Sequence, residues 1–274
     1  MIKPKILVRY FREACTEILA RGTIDANPAL QYELRLGQAQ SFIALAAHLD
    51  RPDLSAEDKL TGLFTVTTGV GKTGIFGALL DRVRQKAVAD GRKFRALVVA
   101  PKVTLLNQAY DSFEKFFPAL HGQVGIYGGF WPDRKVPRRE TDKDITIMSF
   151  PGWVNLTESG ERGYQNTDVI ITDEGHRGTS LRREKTLLAH YNGIGKYAFQ
   201  ATPHYSANKT VVNTHKHEIF SKRLPASVHD GESASYIRAQ HHVLRVVPKK
   251  GQPFNEKLAK QQAFICWQAK KSPR

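Results

Sequence analysis

The 274 residues, 41% of them apolar, suffice for one well-buried core with a smaller appendage, or for two modest domains. Lysine and arginine number 41 against 26 aspartate and glutamate, a formal net charge of +15. That excess points to a polyanionic partner, nucleic acid first, and away from an enzyme acting on neutral metabolites; charge carried for solubility is the bland alternative.

Cys15 and Cys266 lie near opposite ends of the chain without CxxC spacing, so neither a zinc site nor a disulfide framework is indicated. The N-terminal apolar stretch is only Ile6 to Val8 before Arg9, and no run long enough to span a bilayer follows. No membrane association and a cytoplasmic location are the default expectation.

In chain order, Arg9 to Ala20 has helical periodicity, broken at Gly22, and Asn27-Pro28 marks a turn. Leu34 to Leu49 reads as a second helix, with Leu34, Phe42, Leu45, Ala46 and Leu49 at three-to-four spacing. Asp53 to Lys59 is a polar connection. Gly62 to Thr67 is a short strand that runs into TTGVGKT, Thr67 to Thr73. A helix from Lys72 to Val88 follows, stopped by Asp90-Gly91. Phe94 to Ala100 is a strand, apolar throughout its last five residues as a buried parallel strand should be. Pro101 ends it, and Thr104 is the expected N-cap of a helix over Leu105 to Phe117.

Val124 to Tyr127 is a third strand, and the charged, proline-containing stretch Trp131 to Asp144 reads as an exposed loop. Ile145 to Ser149 and Val169 to Thr172 are strands, Arg182 to Tyr191 a helix, and Tyr197 to Gln200 a strand entering Ala201-Thr202-Pro203. Beyond Pro203 the composition turns to His, Lys, Asn and Ser, with a strand expected at Ala239 to Val247 and a helix at Glu256 to Ala269. Alternating strands and helices specify an α/β fold, a mostly parallel sheet with helices on both faces.

The loop Gly69 to Thr73 carries the clearest chemistry. Gly69 and Gly71 allow backbone conformations closed to residues with a Cβ, so that successive amides can converge on an anion at the start of a helix. Lys72 would reach the β- and γ-phosphates of a nucleoside triphosphate, and the Thr73 hydroxyl would bind Mg²⁺. The strict phosphate-loop pattern has one more glycine, where this chain has Val66. Asp173 and Glu174 follow the buried run Ile170-Ile171-Thr172, at the strand end where ligands of open α/β sheets bind. Asp173 suits Mg²⁺, and Glu174 suits activation of a water.

Together these motifs resemble the first motor domain of superfamily 2 helicases and translocases, nearer the restriction-enzyme and UvrB-like branch than the DEAD-box branch. TTGVGKT is similar to motif I, which tolerates the absent glycine. VVAPKVTLLNQ (Val98 to Gln108) is similar to motif Ia, Asp173-Glu174-Gly175-His176 to motif II with glycine at its third position, and Ala201-Thr202-Pro203 to the end of motif III. The likeness covers about residues 30 to 205. It implies a RecA-like P-loop NTPase domain over 34–210, an N-terminal helical extension over 1–33, and a linker or the start of a divergent second domain over 211–274.

It also implies ATP and Mg²⁺ as cofactors. Thr68, Gly69, Val70, Gly71, Lys72 and Thr73 would cradle the nucleotide, and Gln38 would read the adenine edge. Thr73 and Asp173 would hold the metal, with Lys72, Asp173 and Glu174 catalytic. His176 and Thr202 would couple nucleotide state to the nucleic-acid face. Pro101, Lys102 and Gln108 would contact a strand there. Trp153, in Phe150-Pro151-Gly152-Trp153, would either stack a base or pack internally. Arg182-Arg183 and Lys135 to Arg139 read as solvated faces before phosphate contacts.

The family motor needs two such domains, the second supplying an arginine finger. No QxxGRxxR motif follows Pro203. The expected partners are therefore nucleic acid, with duplex DNA favoured, and a separate polypeptide or second copy completing the motor. An ATPase completed in trans and a non-catalytic module using ATP as a conformational ligand are both open at this stage.

Overall fold

A computed structural model describes residues 1–24, 29–30, 32–67, 69–131, 134–160, 166–175, 181–201, 204–206, 209–210, 215–222, 226 and 229–230. All lie within one compact unit, Met1–Ser235. The expectations at Asn27-Pro28, Thr68, His176, Thr202, Pro203, Ala239 to Val247 and Glu256 to Ala269 lie outside the described residues.

The helices are α1 (Pro4–Arg21), α2 (Leu36–Asp50), α3 (Ala56–Lys59), α4 (Lys72–Ala89), α5 (Val103–Phe116), α6 (Phe150–Ser159) and α7 (Leu181–His190). The strands are β1 (Thr61–Val66), β2 (Ala96–Ala100), β3 (Val124–Trp131), β4 (Arg134–Arg139), β5 (Ile145–Ser149), β6 (Val169–Asp173), β7 (Gly195–Gln200), β8 (His204–Ser206), β9 (Lys209–Thr210) and β10 (Glu218–Lys222). Strands β8 and β9 form a separate antiparallel pair, and the other eight join in one sheet in the order β10-β1-β7-β6-β2-β5-β3-β4. Every pairing in the large sheet is parallel except β3 with β4.

The strand period of two divides the core into two layers. Ala96, Val98 and Ala100 of β2 face one side, with Phe64, Ile147, Ile171 and Phe199, under α1, α2, α4 and α5. Leu97 and Val99 face the other, with Met148 and Ile170, under α6 and α7. Both sides of the central strands are therefore apolar, which is why β2 and β6 read as unbroken apolar runs. Helix α1 belongs to the first layer through Leu7, Tyr10, Phe11, Ala14 and Ile18. It begins earlier than its periodicity suggests, because Pro4 suits a first turn whose N–H groups have no helical partner. It ends where Gly22, at φ 68°, donates its N–H to Ile18.

Three expectations are corrected. Thr104 is not an N-cap: Lys102 occupies that position without a side-chain cap, and Thr104 lies inside α5. The stretch from Trp131 to Asp144 is not a loop, because Arg134–Arg139 folds back antiparallel on β3, with Tyr127 opposite Arg139 and Trp131 opposite Arg134. Its charges and Pro137 hide a strand from pattern reading, yet an edge strand tolerates both. Third, Glu218–Lys222 is not linker: it extends the sheet as an edge strand, with Phe64 opposite Phe220 and Val66 opposite Lys222. Strand β10 is only partly buried, with Glu218 and Ser221 exposed and no alternation, so its hydropathy signal is weak.

Candidate functional site

Strands β1, β7, β6, β2, β5 and β3 run parallel, so the segments that follow them emerge along one edge of the sheet. The loop after β1 holds Gly69 at φ 102° and Gly71 at φ 90°, both left-handed. The backbone requires glycine at position 71, and a Cβ there would also lie 2.7 Å from Gln38 Nε2 and displace that amide. Val70 is fully buried and anchors the loop. Lys72 and Thr73 then open α4, with its N-terminal amides behind the loop.

Helix α2 braces this loop. Arg35 Nη1 donates to the Gly69 carbonyl, and Gln38 Nε2 lies 3.5 Å from the Gly71 carbonyl. Gln38 Oε1 accepts from the Arg35 N–H at 3.1 Å. Gln38 is thus buried, its amide engaged by the start of its own helix and by the loop. Arg35, three residues before Gln38, carries no sequence signal of a role; only its fold-back onto Gly69 makes it part of the site.

At the end of β6, Asp173 and Glu174 face the same loop across β7. Glu174 sits at φ 51°, uncommon for a residue with a side chain, and its N–H donates to Asp173 Oδ1 at 3.0 Å. Lys72 Nζ pairs with Glu174 Oε1 at 2.8 Å. Burial pushes the Asp173 carboxyl up to about 6; Glu174 adds to the rise and Lys72 opposes it. A half-buried carboxylate raised in this way, with the Thr73 hydroxyl in the first turn of α4, is a donor set that would fit a hard divalent cation. No group of three or more metal-ligating side chains exists among the described residues.

The remaining assignments separate by location. Pro101 and exposed Lys102 follow β2 on the same edge, and Gln108 is exposed on α5. Of the two expectations for Trp153, internal packing is the one its surroundings match. It is 3% exposed within the α6–α7 layer, and its Nε1 donates to the Tyr191 hydroxyl at 2.9 Å. Phe150 to Trp153 is the first turn of α6, capped by Ser149 Oγ accepting from Gly152, so the ring is turned inward. Arg183 is no simple solvated arginine: its guanidinium lies 4.6 Å from the centre of the Phe150 ring. Gln200, at the end of β7 opposite Thr65, is fully buried, and neither its Nε2 nor its Oε1 has a hydrogen-bond partner among the described residues. Sequence reading took it only as the last residue of a strand. No described helix is long and apolar enough to cross a membrane.

Residues 31–205 match the family model described as "Type III restriction enzyme, res subunit". The chain is 26% identical over 129 residues to Endoribonuclease Dicer homolog 1 of Arabidopsis thaliana, a stretch that is 45% of this chain and 7% of that protein. The chain therefore spans a small fraction of that relative. Among solved structures, the UvsW helicase from bacteriophage T4 aligns with a TM-score of 0.53 at 16% identity, over 76% of this chain and 67% of that one. A second structure of T4 UvsW gives 0.50 at 14% identity, over 77% and 38% respectively. At these identities the structural likeness establishes a shared fold.

Proposed function

The chain belongs to the type III restriction enzyme res-subunit family, within the superfamily 2 helicase-like domains, and on that premise we propose that it binds ATP with Mg²⁺ at Gly69–Thr73 and hydrolyses it in response to nucleic acid. The observation that carries this reading is the meeting of Lys72 and Glu174 at 2.8 Å. A glycine loop and an acidic motif 102 residues apart in sequence are brought into one small volume, where phosphate, metal and water would converge.

In this reading the loop amides and Lys72 bind the phosphates. Thr73 and Asp173 would hold Mg²⁺, which supplies charge neutralisation on the β- and γ-phosphate oxygens. Glu174, once released by Lys72, takes the proton of the attacking water. Gln38 orients the base side of the nucleotide from α2, with Thr68 completing the loop. His176 and Thr202 relay nucleotide state. Pro101, Lys102 and Gln108 lie where a strand would pass, with duplex DNA the preferred partner. The working domain is Met1–Ser235, because α1 and β10 share its core and sheet. A second motor half, from another polypeptide or a second copy, would supply the arginine that full turnover needs.

The test is ATP turnover with and without duplex DNA, single-stranded DNA and RNA, across protein concentrations. Stimulation by duplex DNA, abolished by Lys72→Ala, is the expected result, and a specific rate rising with concentration would reveal completion in trans. Nucleotide binding undiminished in Lys72→Ala overturns the reading.

A further inference from the structure

The hairpin of β3 and β4 is longer than the sheet needs. Strand β3 pairs with β5 only from Val124 to Tyr127, which lies opposite Met148. It then continues through Gly128 to Trp131, beyond the β5 ladder, with β4 as its antiparallel partner. Four fully extended residues would span roughly 13 Å, and left-handed Gly128 with the register shifts on either side of Phe130 bends and shortens that reach. Because β3 is parallel to β5, the overhang leaves the sheet at the edge that carries the glycine loop, Asp173 and Lys102. Five strand spacings separate β1 from β3, so the arm stands about 24 Å from the loop along that edge.

Its composition is unlike the rest of the sheet. Strand β4 reads Arg-Lys-Val-Pro-Arg-Arg, four cations in six residues with no acidic residue. Arg139 is in register with Tyr127 at the base and Arg134 with Trp131 at the far end. The base is fixed. The Glu140 N–H donates to the Ile126 carbonyl at 3.0 Å, and Glu140 Oε2 accepts from the Ile126 N–H at 3.2 Å. Pro137 and the charges also guard an exposed edge against strand addition. Edge protection alone, however, does not require all four charges to have one sign on a projecting ribbon.

We propose that the β3–β4 hairpin is a phosphate-gripping arm for duplex DNA, with Arg134, Lys135, Arg138 and Arg139 as its contacts. This deepens the nucleic-acid part of the function proposed above and rests on it. Charge on a ribbon positions a duplex without reading its sequence. The partner's surface is a regular row of phosphates, which complements a row of cations. Lys102, two strands away along the same edge, would lie on the same track.

The experiment measures binding of the full chain to a fluorescent duplex oligonucleotide and to its single strand across a salt series. The parent is compared with R134Q/K135Q/R138Q/R139Q and with R134K/R138K/R139K. Each lost phosphate contact lowers the log–log salt slope by about 0.9 on duplex DNA. The glutamine variant is expected to lose about two to four slope units on the duplex and at least tenfold in affinity at low salt. Its unfolding midpoint and nucleotide affinity should be unchanged. The lysine variant, which keeps the charge, should retain the parent slope. A parent that fails to bind nucleic acid overturns both this proposal and the function above. A glutamine variant that binds the duplex like the parent, including one that aggregates more readily, reduces the charges to edge protection and overturns the arm alone. Loss confined to the single strand overturns the duplex assignment.

Discussion

Glu174→Gln should tighten ATP binding while it slows turnover. Lys72 Nζ is held by Glu174 Oε1 at 2.8 Å, with side-chain exposures of 11% and 24%. A triphosphate must take the lysine from that carboxylate. At an effective dielectric near 20 the gross attraction is about 4 kcal/mol, but desolvation and lysine ordering offset most of it. Discounted for partial exposure, the net pair is worth about 1 kcal/mol. Glutamine keeps the shape and removes the charge, so nucleotide affinity should rise about fivefold, since 1.4 kcal/mol is tenfold. The same change removes the proposed base, and turnover should fall by about 10²- to 10⁴-fold.

Titration of a fluorescent ATP analogue with Mg²⁺ reads the affinity, and a double-mutant cycle locates its source. Against a Lys72→Ala background, Glu174→Gln should give little or no gain, because no lysine remains to be released. A folded Glu174→Gln variant that binds ATP no more tightly than the parent refutes the reasoning, as does a full gain in the absence of Lys72.

Gly71→Ala forces a Cβ into a φ of 90° and to within 2.7 Å of Gln38 Nε2; it should cost about 1–2 kcal/mol in urea unfolding and weaken nucleotide binding at least tenfold. Trp153→Phe removes the indole donor to Tyr191 and some buried volume; a loss of about 1–3 kcal/mol in stability is expected, with nucleic-acid affinity unchanged by anisotropy. Burial holds the His48 imidazolium below the usual histidine range, against a backbone hydrogen bond to Asp58, while His217, whose ring centre is 5.4 Å away, and Arg51 press it lower still. The native state therefore binds that proton less tightly than the unfolded chain. Its contribution is complete above about pH 6.5 and is lost as pH falls from there through the lower native value. Urea midpoints followed from about pH 8 to pH 5 should fall in the parent and fall less in His48→Gln.

Much of the fold was legible because its central strands are buried on both faces. Continuous apolar runs at β2 and β6, and the glycine loop between β1 and α4, leave little ambiguity about a parallel sheet. The illegible elements are those whose stability comes from neighbours. Strand β10 gains its place by pairing with β1 beside α2, and β4 by folding back on β3; neither needs an apolar face of its own. The same division holds in the site. Loop and carboxylates were readable because their chemistry restricts residue type and spacing. Arg35 on Gly69, Trp153 on Tyr191 and the buried Gln200 were not, because each depends on a partner far away in sequence.

The contacts around the loop bear on how nucleotide entry should be understood. Lys72 is engaged by Glu174, the Gly69 carbonyl by Arg35, and Gln38 by Gly71 and the start of α2. Lys72 and Gln38, the two side chains a triphosphate would recruit in the proposed site, already have internal partners, so binding would exchange interactions and not simply add them. Affinity is then a difference between two sets of contacts. In the proposed function the Lys72–Glu174 pair would have a further consequence, because the carboxylate would be freed for proton transfer only once its lysine had moved to phosphate, making the base conditional on substrate. Asp173 is tied to the same lysine: burial raises its carboxyl to about 6 and Lys72 opposes the rise, so in the proposed site a cation would take over that relief as the lysine moved to phosphate.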